Sequence, residues 1–593
     1  MICGRRRRGA ALALLFLLLY LALAFLVFAA AWGSPAERWI GDPKDPRLFI
    51  WYLGFVPDQL ARGQLPLLTD LVAYPGGTNL LWNTSILVPA ALLSPATAAW
   101  GPVVTYNLLV TMAVAASAWA TFLAARPFLT SPWLQALAGL LFGFSPGLMA
   151  QSTRHVHVVI AILPPLALLL GTRLLLPDPP PGQVTGSNGS SPGGRSHPLR
   201  RAALLGALAG IAATVQLLTG EEMLALTVLV AGFGVLLLAW RRPALIRRRS
   251  RELTVAVGTA VATFALLAAY PLTFQFLGPE RVFGRLQPPD IYVNDLVGFL
   301  VPNATLVQGS LSRAIVAHLT GNPSEDNAYV GLPLLVLAGI GLAGRRPAAA
   351  RWLAGLTAIV AVLSLGPHLH LGGWTTPLPL PWLLFDHLPL LGSADPSRLM
   401  LIGYLGISLL VALGVEAAWQ SSGRARLAVA AALGLGLLSV APMIPFPTTA
   451  AAAPAFFHPG GDVDRLPTGS VVLITPFSSR KSSEAMFWQA VARYRFRMPE
   501  GDVFTPGPQL GPPPTFIQVE LEALDGGQAV PVTVSVRLRV LDDLRRLRVG
   551  TVVAGPSPGR AAIVEFLAAI LGRSPQSSGG VEVWWDCCPL SPS

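Results

Sequence analysis

Apolar runs of roughly 20 residues, the length a helix needs to cross ~30 Å of hydrocarbon, recur along this chain and leave it little choice of environment. They lie near residues 10–32, 103–124, 133–152, 156–177, 202–219, 223–240, 253–272, 329–344, 352–366, 399–418 and 425–444. A lipid interior offers no water to backbone N–H and C=O groups, so each run is expected to be helical. Charged residues are 12% of the chain and apolar ones 53%, with a mean hydropathy of +0.58. Soluble domains carry roughly 25% charged residues, and a soluble enzyme of this length is excluded.

The net charge of +12 does not point to nucleic acid. The basic residues fall in short clusters between apolar runs, where they set topology rather than form a binding stripe. With the N-terminal Arg5 to Arg8 in the cytoplasm, Arg126, Arg200 and Arg201, Arg241 to Arg251, Arg345 to Arg351, and Arg424 to Arg426 all fall on that side. Eleven crossings satisfy every cluster. Counting 85–100 as a further span would invert everything after it, so that stretch, broken by Pro89 and Pro95, is expected to be a partial or surface-lying helix. The run from Ala10 to Trp32 is long enough for an anchor, and no small-x-small cleavage site ends it.

The expected fold is therefore a polytopic transmembrane helical bundle, mainly α, over residues 1–444, with a C-terminal extracytoplasmic α/β domain over 445–593. Loops 33–102, 273–328 and 367–398 are expected outside, and 178–199, rich in Pro, Gly and Ser, as a flexible cytoplasmic linker. Beyond Pro445, short strands are expected at 471–477, 551–554 and 581–585, helices near 484–494, 535–547 and 559–572, and an irregular 499–532. Cys3, Cys587 and Cys588 form neither a disulfide framework nor a zinc-type spacing. Lysine occurs only at Lys44 and Lys481, and the abundance of Arg, Ala, Gly, Pro and Leu looks like the codon bias of a GC-rich bacterial genome. The expected location is the bacterial cytoplasmic (inner) membrane.

Chemistry is sought on the external face. Gly41-Asp42-Pro43-Lys44-Asp45-Pro46 follows the first span directly, and the amphipathic stretch after it carries Phe49, Trp51, Tyr52 and Phe55, which suit the membrane interface. A carboxylate at that depth can act as general base toward an acceptor hydroxyl while a lipid-linked donor reaches the same level through its tail. The competing reading is that Asp42 and Asp45 cap the helix that follows.

The arrangement resembles the GT-C superfamily of membrane glycosyltransferases. It carries many spans, an acidic first external loop and a C-terminal external domain. Within that superfamily it is most similar to bacterial members of YfhO-like layout, in Tyr74-Pro75-Gly76-Gly77-Thr78-Asn79-Leu80, in Ala328-Tyr329-Val330-Gly331 opening a late span, and in Asp395-Pro396-Ser397-Arg398 opening another. The resemblance covers residues 1 to about 444 in layout. It implies an inverting transfer of a hexose or pentose from a polyprenyl-phosphate-linked donor to a glycan, lipid or protein acceptor, with the base on Asp42 or Asp45. Charge developing on the leaving phosphate must then meet a cation or a divalent metal.

Arg154-His155-Val156-His157, at an external turn, and Arg398 supply candidate phosphate contacts. Glu221 and Glu222, with Asp42, His155 and His157, are candidates for holding a metal ion. Tyr74, Asn79, Glu221, Glu222, Glu325 and Asp326 are candidate substrate contacts. His368, His370 and His387 read as bystanders of a Pro-rich loop, Trp584 and Trp585 as core or interface, and the sequons at Asn83 and Asn303 carry little weight in a bacterial chain.

Two other functions compete: a transporter or flippase of a lipid-linked saccharide, and a non-catalytic envelope assembly factor. Transporters usually show paired repeats and charges within their spans. Here no repeat is evident and the ionisable residues collect at one face, which favours the enzyme. Reporter fusions test the topology: insertions within 33–102 and 445–593 are expected to report the same extracytoplasmic side, and insertions within 178–199 and 241–251 the opposite one.

Overall fold

A computed structural model describes residues 2–175, 198–344, 346–419, 423–479, 482–506 and 513–587. Most of the expected linker 178–199, Arg345, Lys481 and Cys588 lie outside the described residues. Among the described residues, eight helices are long and apolar enough to cross a membrane: Gly9–Val27, Ser94–Ala124, Val156–Leu175, Pro198–Leu217, Glu221–Arg241, Ser250–Leu277, Pro347–Ser364 and Pro396–Trp419. The protein is a multi-pass membrane protein.

The other three expected runs form shorter helices, for local reasons. The run 133–152 divides into Pro132–Gly143 and Pro146–Gln151. Ser145 accepts the Leu148 N–H and Pro146 occupies the first helical turn, a start signal in mid-run. The run 329–344 shortens to Leu332–Leu342 because Gly331, at φ 84°, and the following Pro333 fix where the helix begins. The last run forms Gly423–Ser439. The stretch 85–100 is not one rod: Leu87–Leu92 is a short helix, and Ser94–Ala124 is broken at Gly101, where φ is 82° and Pro102 follows.

The chain folds as two compact units. One comprises 1–32, 109–270 and 287–447; the other comprises 33–108, 271–286 and 448–593, so the first loop belongs with the C-terminal region.

In the first unit the helix Pro396–Trp419 is 94% buried over its most apolar window, which makes it the central element. A helix apolar on all sides needs neighbours on all sides. Helices Leu332–Leu342, Pro347–Ser364 and Pro132–Gly143 surround it. The contact with Leu332–Leu342 is set by glycine. A Cβ on Gly414 would lie 1.9 Å from the Leu337 carbonyl oxygen, and one on Gly341 would lie 2.5 Å from that of Leu410. Small residues at such a crossing let two backbones pack directly, which replaces the hydrophobic drive that lipid does not supply.

The second unit holds a four-stranded sheet. Val471–Thr475 pairs parallel with Val549–Ala554, Val581–Trp584 runs antiparallel beside the latter, and Gln576–Ser578 forms the edge. Helices Phe516–Asp525, Val534–Arg546 and Arg560–Leu571 contribute to the core with Ile517, Leu544 and Phe566. The expected strands and helices of the α/β region are present. The stretch 499–532 is not wholly irregular, because Phe516–Asp525 is a helix opened by a capping box, in which Thr515 and Gln518 satisfy each other's backbone N–H groups. A separate antiparallel pair joins Arg38–Ile40, just past the first span, to Thr448–Ala450 at the start of the C-terminal region.

The glycine crossing is testable. Gly414→Val is expected to destabilise the protein by about 1–3 kcal/mol, the usual cost of overpacking, read as a lower melting temperature in detergent. Gly339→Ala on the same neighbouring helix, where an added Cβ meets nothing within 4 Å, is expected to leave it unchanged.

Candidate functional site

Arg398 enters the central helix of the membrane unit with a side chain only 9% exposed. An unpaired guanidinium at that depth is costly, and three carboxylates answer it. Glu325 takes it bidentately, accepting Nη2 at 2.7 Å and Nε at 3.2 Å. Asp395 lies 3.2 Å from Nη2, and Glu222 pairs with Nη1. Glu222 also accepts the Asp395 backbone N–H at 2.7 Å, which joins the start of helix Glu221–Arg241 to that of Pro396–Trp419.

Glu325 is the hub. Its side chain is 2% exposed and also accepts Ser397 Oγ at 2.9 Å and Gln151 Nε2 at 2.9 Å. Burial alone would push this carboxyl up, but the charges of Arg398 and His155 and the hydrogen bonds of Arg398 and Ser397 outweigh burial and hold it well below the usual range. Its neighbour Asp326 behaves oppositely. Burial, with the negative charges of Glu325 and Asp295, pushes Asp326 up to about 8, so at neutral pH it is mainly the protonated acid and can donate a hydrogen bond.

His155 stands at the edge of this network, its side chain 13% exposed. Its Nδ1 faces Gln151 Oε1 at 2.6 Å and Glu325 Oε1 at 3.2 Å. Both are acceptors, so Nδ1 carries a proton toward them. His157 is buried in the opening turn of the span Val156–Leu175, with its ring 5.9 Å from that of His155. Gly220 packs closely on it, and a Cβ there would sit 3.1 Å from the His157 ring. Arg154 is half-buried beside them, and Glu221 occupies the first turn of its helix. The membrane unit thus brings together His155, Glu222, Glu325 and Arg398. Gln151 and Ser397 complete the network, and Gln151 carries no sequence signal beyond lying four residues before His155.

The aspartates belong to the other unit. Asp42 Oδ1 accepts the Lys44 N–H at 2.9 Å, a tight local turn, and its carbonyl accepts Trp39 Nε1 at 2.9 Å. Asp45 lies in the first turn of helix Asp45–Ala61, whose cap position falls on Lys44 without a side-chain capping bond. Arg47, two residues on, pairs with Glu484 at 3.2 Å and lies over the Trp39 ring at 5.8 Å. Burial lowers Arg47 from its ordinary range, opposed by the charges of Glu484 and Asp42.

Several other sequence candidates are engaged by the fold. Asn79 is buried, caps a turn through Leu81 N–H at 3.1 Å and donates to the Pro279 carbonyl at 3.0 Å. Tyr74 lies under the Arg497 guanidinium at 5.7 Å. Trp584 is core, with Nε1 bonded to the Arg573 carbonyl at 3.1 Å, and Arg465 covers Trp585 at 4.3 Å. The sequon residues Asn83 and Asn303 are buried. His368 pairs with Asp290 at 2.9 Å, beside buried His370, and His387 is exposed. Among the described residues no group of three or more His, Cys, Asp or Glu side chains is arranged to hold a metal ion.

No protein-family model and no curated protein sequence matches this chain. Solved structures do. The arabinofuranosyltransferase AftD from Mycobacteria aligns over 98% of this chain and 40% of its own, at 17% identity and a TM-score of 0.53. A point mutant of AftD gives 0.55 over 98% and 41% at the same 17% identity. The chain shares the fold of this stretch of AftD. It spans about two fifths of the length of AftD. ArnT from Cupriavidus metallidurans in the apo state is also similar, at 13% identity over 95% of this chain and 97% of its own, with a TM-score of 0.45.

The buried network yields a stability prediction. Arg398→Ala leaves Glu222 and Glu325 without their cation, and a loss of about 3–5 kcal/mol is expected, measured by thermal unfolding. Because the native carboxyl of Glu325 is depressed, its contribution is complete above ~4.3, the ordinary glutamate value, and disappears as pH falls below it. Wild-type stability should therefore fall on acidification through that range, and Glu325→Gln should lack this component of the loss.

Proposed function

We propose that the chain is a membrane glycosyltransferase that moves a sugar from a polyprenyl-phosphate-linked donor to a cell-envelope acceptor outside the cytoplasm. The observation that carries this reading is the likeness to an arabinofuranosyltransferase over 98% of the chain. The residues give it a mechanism. Asp42, held in orientation by the Lys44 N–H, takes the proton of the acceptor hydroxyl as that oxygen attacks the anomeric carbon. The bond from that carbon to the phosphate oxygen breaks, and polyprenyl phosphate leaves on the opposite side, so a single displacement inverts the centre. Asp45, in the next helical turn, is the second candidate base.

The charge of Arg398 is already matched by Glu222 and Glu325, so it is assigned a structural part. Arg154 and His155 remain the donor-phosphate candidates. Asp42→Asn, expressed in a deletion strain and shown to insert normally, is expected to lower the missing envelope glycan by ~10²-fold or more, the usual range for removing a general base. Mass spectrometry of envelope glycans reads the result. Undiminished product from both Asp42→Asn and Asp45→Asn would overturn the proposal.

A further inference from the structure

The helix Glu484–Val491 of the C-terminal region touches the aspartate segment at three points, each with a different chemistry. Glu484 takes Arg47 at 3.2 Å. Phe487 packs edge-on to Trp39, with ring centroids 5.3 Å apart and an interplanar angle of 65°. Gln489 Oε1 accepts Trp51 Nε1 at 2.8 Å, while its Nε2 donates to the carbonyls of Leu71 at 2.9 Å and Phe496 at 2.8 Å. Gln489 is fully buried with both ends bonded, so it fixes one register of helix Asp45–Ala61 against Glu484–Val491.

These contacts converge on Asp42. Trp39, gripped by Phe487 and covered by the Arg47 guanidinium, donates its indole N–H to the Asp42 carbonyl at 2.9 Å. The strand Arg38–Ile40 that carries Trp39 is paired with Thr448–Ala450, so both the strand before Asp42 and the helix after it are held by the C-terminal region. A module whose only task was to bind a polymer or partner would need no buried polar register with this segment.

We propose that helix Glu484–Val491 is a positioning element for the aspartate segment, Glu484 acting through Arg47 and Phe487 through Trp39 to hold Asp42 in its working orientation. The inference rests on the reading of Asp42 as the base. Its physical basis is the steep dependence of proton transfer on geometry, where a misplacement of about 1 Å can cost ~10²-fold in rate. Glu484 and Phe487 touch the segment and not the reacting atoms.

The test uses the full-length chain in nanodiscs and in the complemented deletion strain. Hydrogen exchange of the Lys44 amide, which is bonded to Asp42 Oδ1, reports the orientation of that carboxylate without any activity. Glu484→Gln and Phe487→Leu are each expected to speed that exchange about tenfold and to lower envelope product about tenfold. Exchange in the strands Val471–Thr475 and Val549–Ala554 should stay unchanged. Glu484→Asp, which keeps the charge for Arg47, is expected to restore both readings. Unchanged Lys44 exchange in both variants overturns the inference, as does product loss without faster exchange. The two readings fail separately. Product retained by Asp42→Asn removes the base, whereas product lost by Asp42→Asn but kept by Glu484→Gln and Phe487→Leu removes only the positioning.

Discussion

A guanidinium withdrawn from water at the start of a membrane helix has to be matched by negative charge, and the architecture of the membrane unit follows from how Arg398 is matched. Its partners come from three other parts of the chain: Glu222 from the start of one span, Glu325 from a loop, and Asp395 from the turn just before. Gln151 and His155 add a fourth segment through Glu325. Leaving any of these carboxylates buried and alone is worse than never having buried it. The network therefore specifies which helix ends meet, in a bundle where lipid gives apolar side chains little reason to prefer one neighbour over another.

The spans were legible because a run of apolar residues in lipid has only one way to satisfy its backbone. Their ends were less so. Ser145-Pro146 is a helix start placed inside an apolar run, and hydropathy averages across it. The helix Phe516–Asp525 was hidden by flanking prolines, although Thr515 and Gln518 stand at capping-box spacing. In both cases local capping chemistry overrode composition.

At the candidate site, residue type was readable and partnership was not. A charge at the start of a span marked Arg398, but nothing local to Glu325 shows that it is 2% exposed and saturated with donors. From sequence, Glu325-Asp326-Asn327 looks like a solvated loop end. Its burial is a tertiary fact supplied by Arg398, 73 residues away. Likewise Asn79 is a candidate substrate contact through the stretch Tyr74 to Leu80 that carries the resemblance, whereas its amide is used on the Pro279 carbonyl. The aspartates were the easier case, since their position past the first span and the turn at Lys44 are both local.

The strand pair joining Arg38–Ile40 to Thr448–Ala450 connects residues roughly 400 positions apart, as in the bond from Thr449 to the Gly41 carbonyl across 408 residues. During synthesis the aspartate segment emerges with the first span, long before its partner strand has left the ribosome. Until then the segment lacks its partner strand and is held by contacts such as those of Asn107, which accepts the Ile40 N–H at 2.9 Å and donates to the Arg38 carbonyl at 2.7 Å. Maturation of this part of the molecule is thus coupled to synthesis of the strand Thr448–Ala450, and a truncated product ending before it carries both aspartates without that partner edge.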